Sequence, residues 1–268
     1  MKAFASLISK ISQKPVKKDF ANYDTLISFG YFWEDMPSCR QLFALHPLFM
    51  PENKSIQCLR YEVGTEFGIA WLLAYSLSPL LNTTNTFTQE LKTKLQLIDV
   101  GYLSSETNLA EEELESIMKY LNTLKKPLAL ILGKELALHP HAQDIALICG
   151  ILGASDKINI IMPEYEDSQD YATPQHISLE LCEDLPESNG NFVYIMPSSV
   201  TLNTLKIPPL FAPTLKLKDK QHITLNFESQ HIEAICERDD TKKGTIALLY
   251  LSKIGDMGYP YKKVEVII

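Results

Sequence analysis

The stretch PLALILGKELALHPHAQDIALICGILG, residues 127–153, decides the fold class. It opens with an apolar run that ends at Gly133, which is typical of a strand buried on both faces of a parallel sheet. Pro140 fits the first turn of a helix, and the apolar residues after it continue to Gly153, where a helix would stop. The stretch therefore predicts one strand–loop–helix unit of an α/β domain.

A second stretch has the same layout. LISFG at residues 26–30 is followed by Pro37, as LALILG at residues 128–133 is followed by Pro140. We therefore predict a helix after Pro37 with Cys39, Leu42 and Phe43 on one face, and a duplicated strand–Gly–loop–Pro–helix arrangement. Chance similarity is the alternative for so short a match.

The remaining apolar patterns extend this arrangement and then change. Strands are predicted at 56–63, 158–162 and 192–196, and helices at 66–78, 86–98 and 109–124, with Thr65 and Asn108 as N-caps. After residue 204 the chain shows prolines and short alternating runs, which indicate a small β domain. We expect a basic arm at 1–19, an α/β domain at 20–204 and a β extension at 205–268. The α/β domain is expected to be a Rossmann-like parallel sheet with helices on both faces.

The charge is negative overall and unevenly spread. The chain has 25 Lys and Arg against 33 Asp and Glu, a net charge of -8, which disfavours a nucleic-acid partner. Residues 158–205 contain no Lys or Arg, and their acidic residues predict either a solvated surface or a docking surface for a basic partner. These acidic residues include Glu164, Glu166, Asp167, Asp170, Glu180, Glu183, Asp184 and Glu187. The more basic ends predict partner-docking lysines at Lys10, Lys14, Lys17, Lys18, Lys242, Lys243, Lys262 and Lys263.

Cysteine spacing and hydropathy exclude several classes of protein. None of the five cysteines forms a CxxC unit, so zinc or iron–sulfur ligation is unsupported and reduced thiols in a cytosolic protein are expected. The longest apolar stretch, residues 67–81, is too short and too interrupted to span a bilayer, so direct membrane insertion is not expected.

Residues that could bind a cofactor are few. The chain has no GxGxxG turn, phosphate loop or GxSxG elbow. Gly30, Gly64 and Gly133 each follow a predicted strand singly, and His139 lies where open α/β sheets place ligands. For each of the four, a structural role is the alternative to cofactor binding. His139 and His141 are candidate metal ligands or helix caps, and the aromatic run at 31–33 predicts either flavin stacking or core packing.

Four segments resemble one family. YDTLISFGYFWEDMPSCRQLF at 23–43 and KKPLALILGKELALHPHAQDIALICGILGA at 125–154 resemble the strand–Gly–loop–helix segment of molybdopterin-type oxidoreductases. YEVGTEFGIAWLLAYSL at 61–77 is similar to a segment of the large iron–sulfur subunit of respiratory complex I, which descends from that family. The tail KGTIALLYLSKIGDMGYPYKKVEVII at 243–268 is similar to the C-terminal part of that subunit in complexes coupled to flavodoxin.

The resemblance implies a place in a complex rather than a reaction. The cysteine clusters of the large subunit and the glycine loops for FMN and NADH have no counterpart here, so no catalytic residue, metal ligand or cofactor is carried over. It implies a non-redox accessory subunit that caps the electron-input end of the peripheral arm. Its implied partners are other peripheral-arm subunits, above all the large iron–sulfur subunit, and a flavodoxin-type donor. Its implied location is cytoplasmic, peripheral to the inner membrane. A flavin- or nucleotide-binding enzyme and an unrelated α/β scaffold are the alternatives.

Overall fold

The computed structural model describes residues 1–81, 85–165, 178–199, 203–252 and 257–268. They form two compact units, Met1–Pro186 and Glu187–Ile268. The boundary lies before the predicted one at 204/205. The reason is that the strand Asn191–Pro197 pairs with strands near the C-terminus rather than with the parallel sheet.

The first unit contains a five-stranded, all-parallel sheet. Its strand order is β3-β2-β1-β4-β5, and every strand is largely buried, as expected of a parallel sheet covered on both sides. The strands predicted at 25–29 and 127–132 are confirmed, the second with limits of 128–132. The strands are β1 (Thr25–Phe29), β2 (Gln41–Leu45), β3 (Ile56–Leu59), β4 (Leu128–Leu132) and β5 (Ile158–Ile161).

The helix predicted after Pro37 is wrong. Residues 41–45 form the strand β2, which pairs with β1 on one side and with β3 on the other. Leu42 and Phe43 therefore point to opposite faces of a sheet rather than to one face of a helix. A short apolar run fits either periodicity, and pairing on both sides decides in favour of the strand. The predicted duplication holds for the two strand–Gly units and fails for the helix.

The helices of the first unit follow the predicted pattern with shifted ends. Asn108, predicted as an N-cap, instead ends the preceding helix in a left-handed conformation (φ 59°), and that preceding helix was not predicted. Thr65 is at the N-cap position, but its hydroxyl donates to the Glu62 carbonyl rather than capping the helix. The helices are α1 (Lys2–Ser12), α2 (Glu66–Leu77), α3 (Thr86–Lys94), α4 (Val100–Thr107), α5 (Glu111–Leu121) and α6 (Ala142–Gly153).

The two faces of the sheet are covered differently. Helix side chains pack on the face that contains Ile27, Phe43 and Leu130. Among the described residues, the opposite face is covered by loop residues such as Trp33 and Met50, whereas helices on both faces are expected from the sequence. Right-handed crossovers explain the difference. The helical connections from β3 to β4 and from β4 to β5 advance across the sheet in one direction, so they lie on one face. The short loops from β1 to β2 and from β2 to β3 advance the other way.

The N-terminal segment is part of the first unit. Helix α1 buries Phe4, Leu7, Ile8 and Ile11, and it packs along α6. The close approach requires glycine on α6, because a Cβ at Gly150 would lie 2.8 Å from the Ile11 Cβ. The segment predicted as a basic arm therefore uses its apolar face within the chain itself.

The second unit is a closed, six-stranded β-barrel, which confirms the expected small β domain. The order around the barrel is β10-β6-β11-β8-β9-β7, with two parallel pairings, β6 with β10 and β7 with β9. Alternating residues point into its own core, which includes Leu205, Leu225, Cys236 and Leu249. The strands are β6 (Asn191–Pro197), β7 (Thr204–Ile207), β8 (His222–Phe227), β9 (Gln230–Arg238), β10 (Ala247–Leu251) and β11 (Tyr261–Ile267).

Candidate functional site

The candidate site is the carboxyl edge of the parallel sheet. The strand order reverses between β1 and β4, because the chain adds β2 and β3 on one side of β1 and later β4 and β5 on the other. Open α/β sheets bind ligands in the crevice at such a reversal point. Gly30 ends β1 and Gly133 ends β4, so the structure brings two of the predicted site residues to this position.

The two glycines allow the chain segments that follow β1 and β4 to approach each other closely. The Gly133 N–H donates to the Phe29 carbonyl at 2.9 Å, and a Cβ at Gly133 would lie 1.5 Å from the Gly30 carbonyl oxygen. Gly30 has a φ of 60°, and a Cβ there would lie 2.8 Å from the Leu136 Cδ2. Glycine is therefore needed here for contacts within the chain.

A short segment fills the crevice from above. After β4 the chain forms a 3-10 turn, Lys134–Leu138, which places Glu135 and Leu136 over the carboxyl edge with exposures of 1% and 0%. We name residues 133–141 the strap. Buried side chains hold it at two points, through Glu135 and through His139.

The first of these points is a buried histidine–glutamate pair. His46 directly follows β2, and its Nε2 lies 3.1 Å from Oε1 of Glu135, with both side chains essentially inaccessible to solvent. The other ring nitrogen, Nδ1, accepts a hydrogen bond from the Leu48 N–H at 3.1 Å. With Nδ1 occupied by this hydrogen bond, Nε2 is the ring nitrogen that faces the glutamate.

At the second point, a buried histidine again lies beside a buried glutamate. His139 Nε2 lies 3.2 Å from Oε2 of Glu66 and 3.1 Å from the Gly64 carbonyl oxygen, and its Nδ1 accepts from the His141 N–H at 3.0 Å. Glu66 is the first residue of α2 and is fully buried, at the helix end where a negative charge is favoured. The predicted site residues Gly64 and His139 therefore contact each other, through a structural hydrogen bond.

The other residues singled out near this edge have separate partners. His141 is exposed, stacks on Phe67 with ring centroids 4.9 Å apart, and places Nδ1 3.3 Å from the Asp144 carboxylate. It therefore does not share a ligand position with His139. Across the described ranges, no three His, Cys, Asp or Glu side chains are grouped in a way that could hold a metal ion.

The aromatic run at 31–33 is a packing element. Trp33 is 6% exposed, donates from Nε1 to the Ser28 hydroxyl at 2.9 Å, and contacts Tyr31 and Phe20 edge to face. Small residues on the sheet face beneath it, Ser28 and Ala44, leave room for the indole ring. The contacts of this run are therefore those of core packing.

The cysteine thiols stay protonated at neutral pH. Burial raises the pKa of Cys149 to about 12 and, together with neighbouring carboxylates, the pKa values of Cys58, Cys182 and Cys236 to about 11. All five cysteines are free. A thiol with a raised pKa is a poor nucleophile, so this environment does not activate these cysteines.

The eight predicted docking lysines differ in their surroundings. Lys14 donates to the Ser155 carbonyl at 2.8 Å, Lys17 contacts Tyr23 and Asn159, and Lys262 pairs with Glu228 at 2.8 Å. The Lys18 ammonium lies over the Tyr165 ring, and Lys263 is exposed beside Gly190. Lys10, Lys242 and Lys243 are exposed.

The acidic stretch is exposed where it is described. Glu180, Glu183, Asp184 and Glu187 point outward, while Leu179, directly before them, is buried in the first unit. Glu164 pairs with Lys134 of the strap at 2.8 Å. Glu166, Asp167 and Asp170 lie outside the described residues.

Sequence reasoning missed His46, Glu66 and Glu135. Two signals were present: Glu66 is an acid at the head of an otherwise apolar helix, and Glu135 is an acid between two apolar runs. A buried acid in such a place needs a partner, which indicates a nearby histidine or basic residue.

Comparison with known proteins gives no family for this chain. No protein-family model matches it, and no curated protein shows significant sequence similarity to it. In the parts of the chain that the structure describes, no helix combines the length and apolar character needed to cross a bilayer.

Proposed function

We propose that this chain is a non-redox accessory subunit of the peripheral arm of a complex I-like NADH–quinone oxidoreductase. The observation that supports this proposal is the filled crevice at the point where the strand order reverses. A sheet that occupies its usual ligand position with its own side chains suits a bracing role better than catalysis. In this proposal the α/β unit is a Rossmann-like domain of the molybdopterin-oxidoreductase type.

The proposed position is the electron-input end of the arm, on the cytoplasmic side and peripheral to the inner membrane. The large iron–sulfur subunit is the proposed principal neighbour, because it is the subunit that the sequence patterns at 61–77 and 243–268 suggest by resemblance. A flavodoxin-type donor is the proposed transient partner. Such a donor is acidic and would be repelled by Glu180, Glu183 and Asp184, so its contact would fall on exposed lysines such as Lys10 and Lys243.

Purification from the native cell tests the proposal directly. The tagged full-length chain, extracted in mild detergent and separated by size, should elute with iron–sulfur subunits in a constant ratio. Deleting the gene should reduce the amount of assembled complex, and the wild-type gene should restore it. A monodisperse monomer without partners under these gentle conditions would contradict the proposal.

The alternative, a flavin- or nucleotide-binding enzyme, has its own readout. It would place the ligand near Gly30, Gly64, Gly133 and His139, so binding would require the strap to move away. The purified protein should therefore show neither a flavin absorption band nor a thermal shift with nucleotides. Stoichiometric flavin in the purified chain would favour the enzyme and overturn the accessory-subunit proposal.

A further inference from the structure

One end of the barrel carries an excess of basic residues. Residues 206–221 and 236–243 contain seven basic and four acidic residues, although the chain as a whole is acidic. Two of the acids neutralise neighbours, since Glu237 pairs with Lys220 at 2.6 Å and Asp240 pairs with Arg238 at 2.7 Å. The exposed residues Lys216, Lys218 and Lys242 form no ion pair with another described residue.

A small cavity lined largely by apolar residues opens within this basic region. Its volume is about 140 Å³, and Lys216 and Arg238 are the charged members of its lining. Seven of its nine lining residues are apolar, and its volume is roughly that of one aliphatic side chain. The remaining lining residues are apolar: Ile207, Pro208, Pro209, Phe211, Ala212, Pro213 and Leu217.

The loop beside the cavity presents an exposed apolar residue on a constrained backbone. Leu210 is 61% exposed, next to Pro208 and Pro209. Ala212 and Lys216 have positive φ values of 42° and 49°, which residues other than glycine adopt at an energetic cost. The Phe211 N–H donates to the Pro208 carbonyl and the Leu215 N–H to the Ala212 carbonyl. These turns and the prolines restrict the loop, so little ordering would be needed when a partner binds. We name residues 207–217 the proline loop.

We propose that the proline loop and its lysines bind an acidic segment of a partner protein. One aliphatic side chain of that segment would enter the cavity, and carboxylates on either side would meet Lys216, Lys218 and Lys242. Charge complementarity selects an acidic partner, and the apolar lining selects a polypeptide over a nucleic acid or a lipid headgroup. The inference rests on the proposed function, because it names the chemistry of one partner contact of an accessory subunit.

A defined peptide tests the inference with the full-length chain. The probe is a short fluorescent peptide of glutamate and aspartate around one central leucine, titrated by fluorescence anisotropy at low and at physiological salt. We expect binding that weakens as salt rises, that weakens when the leucine is replaced by serine, and that is lost when the carboxylates become amides. Absence of binding, or tighter binding of a DNA duplex or of anionic vesicles, would overturn it.

Variants locate the contact. Lys216→Glu combined with Lys242→Glu should weaken peptide binding by about tenfold or more, equivalent to about 1.4 kcal/mol. The control Lys125→Glu reverses an exposed charge in the other unit and should leave binding unchanged. Leu210→Ser is a surface change that preserves the fold, and it should weaken binding of the leucine peptide more than binding of the serine peptide. Equal effects of Lys125→Glu and the double variant would refute this location.

The peptide titration and the purification from the native cell together separate the two proposals. If the peptide fails to bind while the full-length chain still elutes with iron–sulfur subunits, the proline-loop contact is wrong and the accessory role stands. If the peptide binds as expected but the chain elutes alone from its native cell, the accessory role is wrong.

Discussion

At the scale of single residues, the main feature is the pair of histidine–glutamate contacts that hold the strap. Each places a carboxylate and an imidazole in the interior, within 3.2 Å of each other. Replacing both members of such a pair by apolar residues is often tolerated, whereas removing one leaves a buried polar group without its partner. The interaction free energy of each pair is therefore best measured by comparing the double variant with the two single variants.

We expect His46→Leu to destabilise the protein by about 3 kcal/mol, because Glu135 and the Leu48 N–H would each lose a buried partner. Glu135→Leu should be similarly destabilising, and the double variant should lose less than the sum of the two. Urea denaturation at neutral pH measures all three. The exposed His222→Leu is the control and should stay within about 0.5 kcal/mol of wild type. Additive effects would show that the pair is not coupled.

The thiol of Cys149 gives an expectation for alkaline pH. Burial raises its pKa to about 12, from an ordinary value of 9.0. The folded chain thus keeps a proton that the unfolded chain releases, so this stabilisation is complete below about pH 9 and falls as the pH rises towards 12. Between about pH 8 and about pH 10.5, wild type should lose on the order of 2 kcal/mol more than Cys149→Ala does.

Denaturation at the two pH values checks this. Cys39→Ala serves as the control, because Cys39 is half-buried and its pKa is raised less. If Cys149→Ala and wild type lose the same stability on alkalinisation, the thiol is not the group responsible.

At the scale of elements, the packing of α1 on α6 depends on a glycine at the contact, Gly150. Gly150 allows α1 to approach, while Gly101 on α4 has ordinary clearance, since a Cβ there would lie 3.5 Å from its nearest neighbour, the Asp99 carboxylate. Alanine substitutions at Gly150 and Gly101 can therefore be compared directly, because both glycines lie in helices of the same unit.

Gly101→Ala should stabilise the protein by up to about 1 kcal/mol, because alanine favours the helix. Gly150→Ala should instead destabilise it, because the added Cβ would lie 2.8 Å from the Ile11 Cβ and push α1 away. Thermal unfolding measures both changes. Stabilisation by both substitutions would mean that α1 does not pack against α6 in solution.

The elements that could be predicted from the sequence are those whose residue pattern is set by neighbouring residues in the chain. The apolar runs ending at Gly30 and Gly133 identified β1 and β4, because a strand that is buried on both faces consists almost entirely of apolar residues. The helix after Pro37 was wrong because pairing with β1 and β3, which are distant in sequence, decides the conformation of residues 41–45. The His46–Glu135 pair was missed for the same reason, since 89 residues separate its members.

At the scale of the whole molecule, the chain consists of two units with separate apolar cores. The barrel closes through pairings among its own strands, so its main-chain hydrogen bonds need no contribution from the first unit. Domains with their own core and closed hydrogen bonding fold on their own.

We therefore expect residues 187–268, expressed alone, to be a monodisperse monomer with a β-type circular dichroism spectrum and a cooperative thermal transition. Residues 1–186 should fold separately with a mixed α/β spectrum. A molten or aggregated 187–268 fragment, under conditions where the full-length chain is folded, would show that the barrel depends on the rest of the chain.

The outer strands of the parallel sheet bear on how this protein meets other proteins. The β5 edge is occupied by the chain itself, with Lys17 N–H donating to the Ile160 carbonyl and Met162 N–H to the Lys17 carbonyl. At the β3 edge, Ile56 exchanges hydrogen bonds with Asn53, and Cys58 N–H donates to the Glu52 carboxylate. A neighbouring polypeptide would have to displace these contacts before it could add a strand at either edge. Contacts between this protein and a partner would then depend on surface side chains, so assembly should respond to single surface substitutions.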